Sequence, residues 1–353
     1  MALTRRGKLF TFIGIGVALV VGVLVVMSAF GKGPLPKNPL TGIAGGSPPP
    51  DPGCPLTGAP PPDGEIPDRP ALAIKVENLP EARPQYGLET ADIIFEEPVE
   101  GGVTRFIVVY QCQDSDRVEP VRSARTTDPA FLVQFGQPLF AYANAAAYVM
   151  KAVGKVAAIT DLNWRKYGSA YHEDPQREAP HHLYTSTEEL YKLGERKNDT
   201  GAPEPVFLYE EAFPDVAAKP AKQIHLEFSA DYADVFWKYR GGEYVRSHGR
   251  EKHTIAGGGQ VRADNVLVQI VKLDYSGRED STGAKVPEVV ATGKGKAYLF
   301  RDGKVIQGTW ERRYAKTGIT RFRTKTGEKF QFRLKPGVTW VELYPSSAPK
   351  IEY

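Results

Sequence analysis

The sequence predicts an α+β fold in which a mixed α/β domain precedes a β-rich domain. Residues 71–78 alternate and end in a polar residue, and residues 103–112 are rich in β-branched and aromatic side chains; both patterns are typical of strands. Helical patterns occur at 144–157 and 185–197, whereas the second half of the chain consists of short strand-like runs separated by glycine turns. A chain of 353 residues fits two domains of roughly 100–200 residues each.

The N-terminal segment 9–30, LFTFIGIGVALVVGVLVVMSAF, is apolar and carries no charge. As a helix it would span about 33 Å, enough to cross the hydrocarbon core of a bilayer. Arg5, Arg6 and Lys8 precede it, so the positive-inside rule places the N-terminus in the cytoplasm and the bulk of the chain outside. We therefore expect residues 1–30 to form a cytoplasmic tip and a single-pass membrane anchor. A cleaved signal peptide is the alternative, although its apolar part is normally only about 7–15 residues long.

Residues 31–67 are rich in proline and glycine, as in GGSPPPDPG and GAPPPDG, and contain few apolar side chains. This composition predicts a disordered, semi-extended linker that lifts the domains away from the lipid surface. The two cysteines, Cys54 and Cys112, can form a disulfide in an exported chain, and two independent thiols are the alternative. Because neither belongs to a Cys-x-x-Cys pair, we predict no zinc site, and we expect no other metal.

The first domain, which we place at 68–215, begins with the strand 71–78. Two further strands, 91–102 and 103–112, are separated by Gly101-Gly102, and we expect them to pair as a hairpin. The hairpin supplies the framework on which the candidate site is built.

The helices of the first domain follow this hairpin. Residues 121–136 predict a loop that opens a helix, with Thr127 or Asp128 as cap and Pro129 at the first helical position. A short strand around 139–142 precedes the helix 144–157. The last helix, 185–197, is expected to be capped by Thr185 or Ser186.

The second domain, which we place at 216–353, shows little helical pattern. Its candidate strands are QIHLEF, VFWKYR, EYVRSH, NVLVQIVKLDY, GKAYLFRDGK, VIQGTWERRY, TRFRTKTG and TWVELY. Short strands with regular glycine turns predict a barrel-like domain or a curved antiparallel sheet. We expect Trp237, Trp310 and Trp340 in its core, and an aromatic face that stacks on sugars is the alternative.

The charge balance argues against nucleic acid as a partner. The 45 basic and 42 acidic residues give a formal charge of +3, whereas a nucleic-acid-binding protein usually carries a basic stripe. The sequence also contains no Walker A, Rossmann, Gly-x-Ser-x-Gly or His-Glu-x-x-His pattern. We therefore predict neither nucleic-acid binding nor a cofactor.

Charged residues around the predicted hairpin form the candidate site. Because side chains alternate along a strand, Glu96 and Glu97 should face opposite sides of the sheet. Arg105 lies in an apolar strand, where a charge needs a partner, and Glu96 or Glu100 is the nearest carboxylate across the hairpin.

Two interpretations of the basic residues Arg105, Arg122 and Arg125 and of Asp128 remain open. In the first, the three arginines form salt bridges with Glu96, Glu100 and Asp128 that fix the loop after the hairpin. In the second, they bind a ligand. In the second case the arginines form a fork for a phosphate, a carboxylate or an acidic glycan, because a guanidinium group matches those oxygens in pairs.

A third interpretation is a cell-wall hydrolase. Glu96 and Glu100 would act on a glycosidic bond as acid and base or nucleophile, and His181 would serve as general acid or base on another substrate. Glutamate-rich hairpins are common, so the pattern favours a binding protein and leaves catalysis open.

Several phrases resemble a known family. The first domain contains AIKVENLPEARPQYGLETADIIFEEPVEGGVTRF, PVRSAR and APHHLYTS, and the second contains DNVLVQIV, GKGKAYLFRDGKVIQGTW and LKPGVTWVELYP. In this order they resemble the YerB-like bacterial envelope family, domain of unknown function 3048, over nearly everything after Pro70. The resemblance implies the N-terminal and C-terminal domains of that family and a secreted, lipid-anchored or membrane-anchored protein. It implies no particular reaction.

We therefore expect a membrane-anchored envelope protein that binds a cell-wall polymer or another envelope protein through the arginine-lined side of the first domain. The hydrolase that uses Glu96 and Glu100 is one alternative. An assembly scaffold that docks through the β-rich domain, residues 216–353, is the other.

Overall fold

A large mixed sheet lies at the centre of the fold. The computed structural model describes residues 53–195, 197, 201–275, 277–280, 283–324 and 331–353. The predicted membrane segment 9–30 and the part of the linker before residue 53 lie outside these residues. Within the described part of the chain, no helix combines the length and apolar character needed to cross a membrane.

The first half of the chain contains three α-helices, several 3-10 turns and eight strands among the described residues. The helices are α1 (Asp128–Leu132), α2 (Ala147–Gly154) and α3 (Thr187–Glu195). The strands are β1 (Leu72–Glu77), β2 (Ile93–Pro98), β3 (Thr104–Tyr110), β4 (Leu139–Ala141), β5 (Thr160–Asp161), β6 (His172–Glu173), β7 (Leu183–Tyr184) and β8 (Leu208–Tyr209).

The second half is built from strands. They are β9 (Lys219–Pro220), β10 (Gln223–Ser229), β11 (Ala233–Arg240), β12 (Glu243–His248), β13 (Glu251–Lys252), β14 (Arg262–Ala263), β15 (Asn265–Val271), β16 (Leu273–Asp274), β17 (Glu288–Val289), β18 (Gly293–Arg301), β19 (Lys304–Arg312), β20 (Arg321–Thr324), β21 (Arg333–Leu334) and β22 (Thr339–Pro345).

The central sheet combines strands from both halves of the chain. Its order among the described residues is β20-β19-β18-β15-β22-β2-β3-β1-β4-β5, and β9 pairs with β19. The predicted hairpin is confirmed, because β2 and β3 pair antiparallel. The last strand, β22, lies in the middle of the sheet and pairs parallel with β15 on one side and β2 on the other. The division into domains at about residue 215 stays a prediction, and the sheet runs across that point.

Of the two arrangements predicted for the second half, a barrel-like domain or a curved antiparallel sheet, the barrel is wrong. In the described part of the second half, β10 to β14 form a separate five-stranded antiparallel sheet, which we name the small sheet. The strands β15, β18, β19, β20 and β22 join the central sheet. Neither sheet closes on itself. The sequence shows short strands and glycine turns, but this pattern does not reveal which strand each one pairs with. The described chain is mostly sheet with few helices, so the coarser expectation of an α+β fold with a second half rich in strands is confirmed.

Both faces of the central sheet are covered. On one face Trp340 of β22 packs edge-on against Trp237 of the small sheet, with ring centroids 5.2 Å apart. On the other face Phe95 of β2 packs against Phe131 of α1, with centroids 5.8 Å apart. The three tryptophans predicted in the core, Trp237, Trp310 and Trp340, are buried. Because both faces are covered, polar side chains on β1, β2 and β3 are buried as well.

The ends of the helices follow the sequence signals only in part. The Ser186 hydroxyl accepts the Glu189 N–H at 3.2 Å and caps α3, as predicted. Pro129 lies in the first turn of α1, also as predicted. Thr127 precedes α1 but makes no side-chain cap, because its hydroxyl donates to Glu97 instead.

The predicted disulfide between Cys54 and Cys112 is confirmed, with Cα atoms 6.0 Å apart. It ties the described end of the linker to the sheet directly after β3. Leu56, two residues further along, is fully buried. The stretch of the predicted linker around Cys54 and Leu56 is therefore packed against the folded region instead of forming a free spacer.

Replacing both cysteines by serine should lower the free energy of unfolding by about 4 kcal/mol, because the bond closes a loop with a sequence separation of 58. Urea unfolding of the oxidised wild type and of the Cys54→Ser/Cys112→Ser variant measures the difference. Reductant should destabilise the wild type equally and leave the variant unchanged. Equal stability of the oxidised and reduced wild type would contradict the prediction.

Candidate functional site

Charged side chains lie together at one end of β1, β2 and β3. Cross-strand pairing places Glu77 of β1 and Glu97 of β2 opposite Arg105 of β3. Lys75 lies two residues before Glu77 and therefore faces the same side of the sheet. Glu96 engages partners on the opposite side, so the predicted alternation of Glu96 and Glu97 is confirmed. These residues and the neighbouring loops form three groups.

The first group, the arginine face, contains Arg105, Arg122, Arg125, Glu77, Glu100 and His181. Arg122 donates from Nε to Glu77 Oε1 at 2.8 Å. His181 Nδ1 lies 2.7 Å from the other oxygen of Glu77. Arg125 donates from Nε to Glu100 at 3.0 Å. The two glutamates are thus each held by an arginine from the loop that follows β3.

Arg105 lacks such a partner. Its side chain is only 8% exposed, and Nη1 donates to the Ser123 carbonyl at 3.3 Å. Among the described residues its Nε has no hydrogen-bond partner. Burial and the neighbouring Arg125 and Arg122 lower the pKa of Arg105 to about 9. It therefore remains positively charged at neutral pH without a hydrogen-bonded carboxylate.

The second group, the lysine triad, consists of Lys75, Glu97 and Asp128. Lys75 Nζ contacts Glu97 Oε1 and lies 2.7 Å from Asp128 Oδ1, and all three side chains are at most 1% exposed. Burial raises the pKa of Asp128 to about 7. Burial also opposes ionisation of Glu97, but Lys75 and the hydrogen bonds around it hold the pKa of Glu97 below its ordinary value.

The third group, the Arg246 network, lies between the central sheet and the small sheet. It consists of Arg246, Glu96, His248, His253 and Glu342. Arg246 donates from Nη2 to Glu96 at 2.6 Å, and from Nη1 to His248 Nε2 at 2.6 Å and His253 Nδ1 at 2.7 Å. Burial and Arg246 lower the pKa of both histidines, so they are neutral acceptors. Burial and the adjacent Glu96 raise the pKa of Glu342 well above its ordinary range.

The structure does not assemble the residue pair of the hydrolase hypothesis. Glu96 is fully buried and accepts hydrogen bonds from Thr104 and Arg246. Glu100 is engaged by Arg125 on the arginine face. His181 shares Glu77 with Arg122, which places it beside the arginines.

Two further expectations about partners need correction. Neither Glu96 nor Glu100 pairs with Arg105, because the strand register puts Glu77 and Glu97 opposite it. Asp128 does not line the arginine face, because Lys75 draws its carboxylate into the lysine triad. The expected absence of a metal stays a prediction.

Sequence reasoning missed Lys75 and Arg246. Lys75 interrupts the strand LAIKVE, which is buried throughout, and a lysine in such a run needs a counter-charge. Arg246 alternates with the buried Tyr244 in EYVRSH and so shares its inward face. The buried position of each basic residue can be read from the sequence, but the carboxylates that pair with Lys75 and Arg246 lie far along the chain.

Two family matches cover most of the folded region. Residues 56–200 match the N-terminal domain, and residues 224–341 the C-terminal domain, of the family described as "Protein of unknown function (DUF3048)". The chain belongs to the DUF3048 family. The order of the two DUF3048 domains agrees with the resemblance seen in the sequence.

The chain is also similar to "Putative lipoprotein YerB" of Bacillus subtilis (strain 168). It is 28% identical over 309 residues, which cover 83% of this chain and 86% of the relative. The crystal structure of the YerB protein from Bacillus subtilis matches with a TM-score of 0.71 at 24% identity, over 85% of this chain and 99% of that chain. The structural likeness establishes a shared fold.

Replacing Arg246 by methionine should destabilise the protein by roughly 3–5 kcal/mol, because the Glu96 carboxylate would remain buried without its counter-charge. Urea unfolding measures the loss. The matched control is Arg262→Met, because Arg262 pairs with Glu243 at the exposed surface of the same small sheet, where about 1 kcal/mol or less is expected. Similar losses in both variants would contradict the role assigned to the buried pair.

Proposed function

We propose that this protein is an envelope protein held at the membrane by residues 9–30, and that it binds an anionic cell-wall polymer through the arginine face. The observation that carries the binding proposal is Arg105, a buried arginine that has no hydrogen-bonded carboxylate in the part of the chain that the structure describes. The proposed location is supported by other residues than the proposed ligand.

Three observations support the location. The apolar segment 9–30 is long enough to cross a bilayer and follows basic residues. The disulfide Cys54–Cys112 is typical of a chain that folds outside the cytoplasm. The relative YerB is named a lipoprotein, which is a membrane-attached envelope protein. Since no cysteine directly follows segment 9–30, the attachment of this chain would be a helix and not a lipid.

The carboxylates around Arg105 are already engaged. Glu77 is shared by Arg122 and His181, and Glu97 is held by Lys75 and Thr127. A charge buried without a partner is costly, so an anion delivered from outside would stabilise Arg105. The ligand that fits beside Arg105 therefore carries negative charge.

The arginines beside Arg105 are accessible from solvent. The side chains of Arg122 and Arg125 are 21% and 15% exposed. Arg122 reaches Glu77 through Nε alone, and among the described residues its two terminal amino groups have no hydrogen-bond partner. That end of a guanidinium group matches two oxygens of one phosphate or carboxylate. A polymer with repeating anionic groups would place one group at Arg122 and another near Arg125.

A scaffold that docks through the second half of the chain is the second candidate. An open cleft of about 450 Å³ lies there, lined by Arg313, Tyr314, Ile319 and Arg321 among others. Tyr314 is 67% exposed and Ile319 40%. Exposed aromatic and arginine side chains are the residues enriched at protein interfaces. The hydrolase gains no comparable support, because Glu96 is enclosed.

Arg122→Gln and Arg125→Gln should each weaken binding to purified anionic wall polymer roughly tenfold or more, the loss expected for a charge-assisted hydrogen bond. Sedimentation of the protein with wall material measures binding, and wall material stripped of its anionic polymer should retain little protein. Arg262→Gln is the matched control, since Arg262 is an exposed arginine on the other sheet. Unchanged retention of both arginine-face variants, or equal retention by stripped walls, would reject the proposed ligand.

A reporter enzyme that is active only outside the cytoplasm should be active when fused after Tyr353. Deletion of residues 9–30 should abolish that activity, because the segment directs export. A cytoplasmic reporter at the same position gives the reciprocal readout. Activity of the cytoplasmic reporter in the full chain would contradict the proposed location.

A further inference from the structure

The lysine triad has an arrangement that an ordinary ion pair does not require. A single carboxylate neutralises one lysine, yet Lys75 Nζ contacts Glu97 and also lies 2.7 Å from Asp128 Oδ1. Asp128 is also hydrogen-bonded to Glu97. An amine and two carboxyl groups are thus in mutual contact.

The triad is closed off from solvent. Lys75 and Asp128 are fully buried, and Glu97 is 1% exposed. In the strand register Lys75 lies beside Ile107, and Ile107 lies beside Phe95. All of these side chains share the face that α1 covers. Water is excluded from the place where the three groups meet.

The backbone adds a fourth element. The N–H of Arg125 donates to Asp128 Oδ2 at 2.6 Å, on the oxygen that does not face Lys75. A fixed N–H at this position stabilises negative charge that develops on that oxygen. Thr127 donates from its hydroxyl to Glu97 Oε2 at 2.9 Å and fixes the orientation of that carboxylate. The triad therefore combines a nucleophile, an electrophile, a proton relay and a donor for the oxyanion.

We propose that Lys75 and Asp128 form an intramolecular amide bond, joining Nζ to Cγ, with Glu97 as the proton relay. The bond would link β1 to the start of α1 inside the folded domain. It is independent of the proposed function, because it would form whether or not the arginine face binds a polymer.

The reaction is a condensation that needs no oxidant and no cofactor. Glu97 takes a proton from the Lys75 ammonium group, and the neutral amine attacks Cγ of protonated Asp128. The electron pair of the carbonyl moves onto Oδ2, where the Arg125 N–H stabilises it. Glu97 then passes its proton to Oδ1, the Cγ–Oδ1 bond breaks, and water leaves. The nitrogen returns its surplus proton to Glu97, so that the products are the amide, one water molecule and neutral Glu97.

Two physical effects favour the condensation, the proximity of the reacting groups and the loss of buried charge. Groups held in contact react as if at very high concentration, since folding has already removed their freedom of motion. The step also turns a buried ammonium and a buried carboxylate into a neutral amide and a neutral acid, which removes the desolvation cost of both charges. Burial raises the pKa of Asp128 to about 7, so that a substantial fraction of this carboxyl is protonated at neutral pH, as the attack requires.

Mass spectrometry of the full chain decides the question. The protein is purified in detergent, its disulfide is reduced, and it is digested with trypsin after denaturation. We expect a branched peptide that joins the segment around Lys75 to the segment around Asp128 and is one water molecule lighter than the sum of its parts. We also expect trypsin not to cleave after Lys75, because an amide-linked lysine carries no charge. The exposed pair Lys192–Glu188 is the internal control and should give unlinked peptides.

Two variants assign the roles. Asp128→Ala should give an unlinked Lys75 peptide, and Glu97→Gln should do the same because the relay is lost. An ordinary, unlinked Lys75 peptide from the folded wild type would overturn the proposal, whatever the variants do. A branched peptide that joins Lys75 to Glu97 would overturn the assignment of Asp128. A bond that forms in Glu97→Gln would overturn the relay role.

Discussion

The two-sided pairing of β22 is the constraint on which the rest of the structure depends. Residues 339–345 pair parallel with β15 along their whole length, and their first four residues also pair parallel with β2. A parallel neighbour cannot be supplied by a hairpin, so the strand must return from far along the chain. The strand β2 of the first half therefore gains its second neighbour only when the C-terminal strand β22 is in place.

This pairing also creates the electrostatic problem that the Arg246 network solves. The register places Glu96 of β2 directly beside Glu342 of β22, both on the face that the small sheet covers. Two buried carboxylates in contact raise each other's free energy unless a cation or a proton lies between them. Arg246 reaches in from the small sheet and pairs with Glu96, while the raised pKa of Glu342 keeps a proton on the second carboxyl group. The position of the small sheet is thus coupled to the insertion of β22.

The sequence predicts the local part of this architecture well. The hairpin strands, the proline at the start of α1 and the serine cap of α3 are set by residues within a few positions of each other, and all are confirmed. The barrel is wrong because the pairing of β22 with β2 joins segments about 245 residues apart and leaves no trace in either. The alternation of Glu96 and Glu97 follows from strand geometry, whereas their partners Arg246 and Lys75 depend on which elements cover each face. The register of the strands, and not the types of residue, decides which charged side chains meet at the site.

Most of the buried charged side chains around the hairpin hold two segments of the chain together. Glu77 holds the loops that carry Arg122 and His181, and Glu96 holds the small sheet. The lysine triad likewise holds the start of α1 against the sheet. Buried pairs of this kind add little net stability, because desolvation offsets their attraction, but they specify which segments meet.

Arg105 fits no such role, since within the described residues it pairs with no carboxylate and donates its one hydrogen bond to the Ser123 carbonyl. Its neighbours Glu77 and Glu100 are already held by other groups, so the surroundings of Arg105 are ordered before any ligand arrives. An anion that binds there would not need to order those side chains, and this lowers the entropic cost of association. It would still have to compete with Glu100 for Arg125, which disfavours a small monovalent ion. A ligand with several linked anionic groups can compete with Glu100, because a second group held at Arg122 keeps the first at high local concentration.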